Sequence, residues 1–137
     1  MDDFEVINHT ADIGIVAHGA DIKTVFANAA RAMFSLITDL DNVEESICHS
    51  VEVSGEDRPD LLIVWLNELI YLFDTRSIVF KRVEIIDLTC TRLKAMCYGE
   101  KVNPVRHELK MEIKAATYHL LEIEENDEFK ARVLFDI

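Results

Sequence analysis

From Leu61 to Phe73 nearly every position is apolar, and that stretch limits the possible folds more than any other part of the chain. Leu61, Leu62, Ile63, Val64, Trp65, Leu66, Leu69, Ile70, Leu72 and Phe73 read as a helix with almost no polar face, entered through Pro59 after the polar loop Ser54 to Asp60;. Such a helix must be covered on more than one side. It is also too short for a bilayer, which needs about 20 apolar residues, and it carries Asn67 and Glu68. These two and Asp74 each require a partner inside the fold.

An earlier helix is expected after the cap Asp21, where Ile22, Val25, Phe26, Ala29, Met33 and Ile37 recur at helical spacing and Lys23, Asn28 and Arg31 are expected to face water;. It should end near Thr38-Asp39. Before it, Phe4, Val6 and Asn8, then Ile13, Ile15 and Ala17, alternate as two short strands around a polar corner. Val43 to Val53 reads as a longer strand. Beyond Arg76 the pattern turns wholly to strands: Ile78 to Leu88, Cys90 to Tyr98, Leu109 to Ala115, His119 to Ile123 and Phe129 to Asp136;. Gly99 to Pro104 and Glu124 to Glu128 read as loops.

Two helices early and many strands late predict an α+β fold, a single domain over 1–137, with a mixed, mostly antiparallel sheet and two helices packed on one face. A doubly wound parallel fold would need regular alternation of strand and helix, which the second half lacks. Half of the 137 residues are hydrophobic, enough for a real core;.

The formal net charge of -12 argues against direct nucleic-acid binding, which depends on clustered Lys and Arg, and suits metal ions or a basic partner protein;. Cys48, Cys90 and Cys97 show no C-x-x-C spacing, so neither a disulfide framework nor a thiolate zinc site is expected; they read as small buried apolar groups. Met1-Asp2-Asp3 offers no signal-peptide pattern. The expected location is the cytoplasm, with no membrane association.

Chemistry is expected where acidic groups gather. Phe135-Asp136-Ile137 closes the sequence directly after a strand pattern, so a side-chain carboxylate and the α-carboxylate lie within one residue. His9-Thr10-Ala11-Asp12-Ile13-Gly14 places another carboxylate at an early strand break. If the two corners meet, Asp12, Asp136 and Ile137 converge, and repulsion favours a proton or a metal ion there. Oxygen ligands alone point to Ca2+, Mg2+ or Mn2+. The plainer reading is that such Asp residues are solvated or cap turns. Lys114 reads either as a surface charge balancing Glu112 or as a cation beside the acidic corner. No histidine pair has zinc-site spacing, and His119 is a candidate only for a supporting hydrogen bond. No nucleophile motif or Gly-rich phosphate loop is present, so no catalytic residue is assigned.

The chain resembles the archease family over essentially its full length. The resemblance rests on His9-Thr10-Ala11-Asp12-Ile13-Gly14, the helical segments Phe26 to Phe34 and Leu66 to Asp74, Lys114-Ala115-Ala116-Thr117-Tyr118-His119, and terminal Phe135-Asp136-Ile137. It implies a small non-catalytic activator of the RtcB-type tRNA-splicing RNA ligase, promoting metal- and GTP-dependent guanylylation and multiple turnover. It further implies a divalent ion held by Asp12, Asp136 and Ile137, with Lys114 tied to activation. Two rival readings stand beside it: a metal-dependent hydrolase using the same carboxylates, and a chaperone-like binding module.

Overall fold

A computed structural model describes residues 3–9 and 12–137, with His9 through its backbone alone. The corner at Thr10 and Ala11, the His9 side chain and Met1-Asp2 lie outside the described residues. The elements run β1 (Phe4–His9), β2 (Asp12–Gly19), α1 (Ile22–Ile37), a 3-10 turn at Leu40–Asn42, β3 (Ile47–Ser54), α2 (Arg58–Arg76), β4 (Ile78–Leu88), β5 (Arg92–Lys101), β6 (Ala115–Glu125) and β7 (Phe129–Asp136).

Both helices start where their capping residues stand. The Asp21 carboxylate accepts from the Thr24 N–H at 2.8 Å and from its hydroxyl at 2.7 Å, satisfying donors the first turn would leave open;. Asp57 does the same for the Asp60 N–H at 2.9 Å, with Pro59 in the first turn of α2;. α1 stops at Thr38, whose backbone turns extended, and α2 stops at Ser77, which takes a left-handed conformation (φ 55°);.

The strands form two sheets, β1-β2-β7-β6 and β3-β5-β4, and every adjacent pair is antiparallel. Each sheet turns one face to the helices. In the larger sheet Ile13, Ile15 and Ala17 share that face with Ala131, Val133 and Phe135, all buried;. α1 packs against β2 and β4, and α2 against β6 and β3, so each helix touches both sheets and ties them into one core. That double contact explains a helix with so little polar surface: Leu61, Leu62, Ile63, Trp65, Leu66 and Leu69 are each at most 1 % exposed;. Trp65 closes its own polar requirement by donating to the Phe26 carbonyl at 3.1 Å;.

Several local expectations are corrected. Residues 107–114 form no strand although their apolar positions alternate. Their groups go instead to the end of α1, where the Lys110 N–H donates to the Ile37 carbonyl at 2.7 Å and the Thr38 hydroxyl to the Glu108 carbonyl at 2.8 Å. Alternation here records one-sided burial of Ile113 rather than a ladder;. β6 then runs unbroken through the segment expected to divide it, with a register break between Thr117 and Glu122 and a left-handed Leu120 (φ 56°) inside the break;.

β3 begins only at Ile47, because the 3-10 turn and residues 43–46 precede the ladder. β5 extends to Lys101, so Gly99 is a strand residue and not a loop residue. A Cβ built there would lie 1.9 Å from the Val79 carbonyl oxygen, beside the irregularity between Phe80 and Arg82;. Asn28 is buried rather than water-facing, and donates to the His18 carbonyl at 2.7 Å. Among the cysteines only Cys97 is buried, which pushes its thiol up to about 12; Cys48 and Cys90 are exposed;.

Candidate functional site

The β2–β7 ladder pairs Ile13 with Phe135, Ile15 with Val133 and Ala17 with Ala131. Continued by one residue, that register would set Asp12 opposite Asp136. Because Ile13 and Phe135 point into the core, the two carboxylates stand on the outer face, where directly opposed Cβ atoms are about 5 Å apart. The neighbouring strands extend the row: His9 pairs with Asp12 on β1, and Ala115 pairs with Asp136 on β6. The structure therefore brings the early and late acidic residues to one end of one sheet. Ile137 follows directly and is 47 % exposed.

Beside the acidic pair the outer face has an apolar floor. Leu134 is buried there, and a Cβ on Gly14 would sit 2.4 Å from Leu134 Cδ2 and 3.0 Å from Ile7 Cγ1. Glycine is needed at that position for Leu134 to lie flat against β2.

Lys114 reaches this end of the sheet through its main chain, whose N–H donates to the Asp136 carbonyl at 2.8 Å, while its side chain is exposed. His119 lies in the irregular part of β6, four residues past the partner of Asp136, or about 13 Å along a strand rising ~3.3 Å per residue;. Among the described residues no Lys, Arg or His forms an ion pair with Asp12, Asp136 or Ile137. Nor, among them, do three His, Cys, Asp or Glu side chains gather as a metal site. The corner offers two side-chain carboxylates and the main chain of Ile137, a hard, all-oxygen donor set. That chemistry fits a divalent cation of the Ca2+ or Mg2+ type.

Two ties between α2 and β6 escape sequence reasoning, although the polar residues of an otherwise apolar helix signal that partners exist. The Asn67 amide oxygen accepts from the Ala116 N–H at 2.8 Å, and its NH2 faces the Ala116 carbonyl at 3.4 Å. Farther along, the Tyr118 hydroxyl donates to Asp60 at 2.6 Å. That bond, with the Glu56 N–H, holds the Asp60 carboxyl below its ordinary range and raises the Tyr118 hydroxyl;.

A further ionic cluster also goes unread in the sequence. Glu100 is buried and accepts from the Arg106 guanidinium and the Glu44 N–H. His107 accepts at Nδ1 from the Asn103 N–H at 2.8 Å, so its Nε2–H donates to the Asn42 carbonyl at 3.0 Å. Burial pushes the Glu100 carboxyl up, but Arg106 and the Glu44 N–H outweigh it and the net shift is downward;. This cluster pins the turn after β5. A separate groove of about 600 Å3 between α1 and β4 carries Lys23, Arg31, Lys81 and Arg82 balanced by Asp21, Asp41, Glu45 and Glu84. None of the residues at the acidic corner lines it.

Known proteins are similar to this chain in sequence and architecture. The Archease protein family matches residues 4–137. Protein archease of Methanothermobacter thermautotrophicus is 39% identical over 146 residues, covering 100% of both chains. The protein of the same name from Sulfolobus acidocaldarius is 39% identical over 128 residues, covering 93% of this chain and 92% of that protein. The solution structure of Methanobacterium thermoautotrophicum protein 1598 superimposes with a TM-score of 0.82 at 38% identity, covering 100% of both chains. The crystal structure of an archease from Thermotoga maritima, described as a possible chaperone, shares the fold with a TM-score of 0.65 at 24% identity, over 96% of this chain and 94% of that one.

Proposed function

This chain belongs to the archease family, and from that premise we propose that it is a non-catalytic accessory protein that activates a GTP-dependent tRNA-splicing RNA ligase of the RtcB type through an acidic divalent-metal site. The observation that supports the metal part of this reading is the β2–β7 register, which pairs Ile13 with Phe135 and, continued by one residue, would oppose Asp12 to Asp136 at the end of the sheet. Asp12, Asp136 and the main-chain oxygens of Ile137 would hold the ion. When bound, such an ion supplies charge neutralisation of the kind that assists phosphoryl transfer.

The chain's own residues do the rest. Asp12 and Asp136 would hold and orient the cation at a rim open to a partner, beside the buried Leu134. The net charge of -12 steers the protein toward a basic partner surface and away from RNA itself;. Lys114, held beside Asp136 by its main chain, has an exposed side chain that would be available to the partner. The three free cysteines suit a reducing cytoplasm;.

Ligase guanylylation measured at limiting divalent metal, with and without this protein, tests the reading. Asp12→Ala and Asp136→Ala should abolish stimulation while circular dichroism is unchanged, and Lys114→Ala should lose stimulation with metal binding intact. Full stimulation by either aspartate variant would reject the proposal. Suppression of aggregation of unrelated proteins that survives Asp12→Ala would favour the chaperone reading, and phosphatase or nuclease turnover with Mn2+ the hydrolase reading.

A further inference from the structure

We propose that Asn67, on α2, is a positioning residue for the acidic corner: its side-chain amide stands in for a missing neighbour strand and fixes the start of β6 against which Asp136 is set. The inference rests on the metal-site reading above and deepens it.

β6 is the outermost strand of its sheet, so at its start the N–H and C=O of Ala116 that face away from β7 have no strand to pair with;. Asn67 meets both, at 2.8 Å and 3.4 Å. One planar amide with an acceptor and a donor side by side reproduces the two-bond pattern of a paired residue. The residue is half-buried on the apolar middle stretch of α2, where an unpaired amide would be costly, so its geometry is held from both sides;.

The link to the site is the length of ladder involved. Only Ala115, Ala116 and Thr117 pair with Asp136, Phe135 and Leu134 before the register breaks at residues 118–121. On the other flank, among the described residues, the β2–β7 pairing runs no further than Ile13 and Phe135. The main chain of Asp136 is therefore held chiefly from β6, through the Lys114 N–H at 2.8 Å and the Ala115 pairing. Three paired residues between an irregular segment and a bulge fray readily unless their free edge is tied down. Asn67 is that tie. Its loss lets Lys114 to Ala116 drift and loosens the contacts from β6 that hold the Asp136 main chain.

The test uses the full chain, with calcium alone as the probe in titration calorimetry and amide hydrogen exchange as an independent readout. Asn67→Ala should weaken calcium binding at least about tenfold, the range in which partners behind metal ligands act. It should also speed exchange of the Ala116 and Lys114 amides about tenfold, with Val133 in the central ladder unchanged. Asn28→Ala is the control, since it removes another helix amide bonded to a strand carbonyl, at the far end of β2. It should leave calcium affinity as in the natural sequence.

Asn67→Asp keeps the acceptor for the Ala116 N–H but sets an oxygen against its carbonyl, so an intermediate loss is expected; it also serves if Asn67→Ala does not fold. Unchanged affinity in both Asn67 variants, unchanged Lys114 exchange, or an equal loss of affinity in Asn28→Ala each overturns the proposal. If the natural sequence binds no calcium, the metal reading fails by itself, and Lys114 exchange in Asn67→Ala still decides whether Asn67 sets Asp136.

Discussion

Replacing Asp12 by Asn should change the stability of this protein in opposite directions with and without a divalent ion. Asp12 is half-buried and Asp136 exposed. Two like charges about 5 Å apart in so wet a setting repel by no more than about 1 kcal/mol, less at physiological salt. Removing one charge while keeping the shape should therefore stabilise the metal-free protein by up to that amount. For a domain of 137 residues, 1 kcal/mol corresponds to about 3 °C in Tm;.

An ion bound only by the folded protein acts more strongly. At a hundredfold excess over its Kd it contributes about 2.7 kcal/mol, or about 9 °C. The variant forfeits this gain, so in saturating calcium its Tm should fall about 6 °C below that of the natural sequence, while in EDTA it should lie up to about 3 °C above it. Scanning calorimetry of both proteins in both buffers reads the crossing directly. The reasoning fails if Asp12→Asn is destabilising to the same extent in EDTA and in calcium, for then Asp12 serves a local backbone contact and not a charge cluster. A natural sequence whose Tm ignores calcium would refute the metal part alone.

Gly99→Ala should cost about 3 kcal/mol, at the top of the usual range for overpacking, because the clashing atom 1.9 Å from the new Cβ is the Val79 main-chain oxygen and no side-chain rotation relieves it;. A urea midpoint within experimental error of the natural sequence would show that β4 and β5 can part there cheaply. Acid stability should depend on Glu100, whose folded carboxyl titrates below its ordinary value of 4.5. A carboxylate with a depressed value contributes stability that is complete above the unfolded value and is lost as pH falls through the folded one. Urea midpoints followed from pH 7 to pH 3 should thus decline less in Glu100→Gln than in the natural sequence; parallel curves would exclude the pair with Arg106 as a source of acid sensitivity.

Helix positions were legible because their signals are local. Asp21 sits where a cap is needed, Pro59 stands in a first turn, and the 3.6-residue period of α1 survives without reference to the rest of the chain. The strand pattern was legible only where a ladder follows it. Residues 107–114 alternate like a strand, yet the end of α1 takes the Lys110 N–H and the Glu108 carbonyl, and nothing in a periodicity records that competition. The same holds for Asn28, whose place on α1 looked solvated until the His18 carbonyl arrived above it.

For the candidate site, the sequence by itself supplied the chemistry: two aspartates at strand ends, a surplus of negative charge, and an all-oxygen donor set. Their place at one sheet end belongs to the tertiary structure, because Asp12 and Asp136 are separated by nearly the whole chain and come to the same end only through the antiparallel register of β2 and β7. A slip of one residue would send one of them into the core, and the burial of Ile13, Ile15, Val133 and Phe135 forbids it;. The same packing sets Asn67 against Ala116. Side-chain type is written residue by residue, whereas proximity across a sheet is decided by which faces the whole fold must bury.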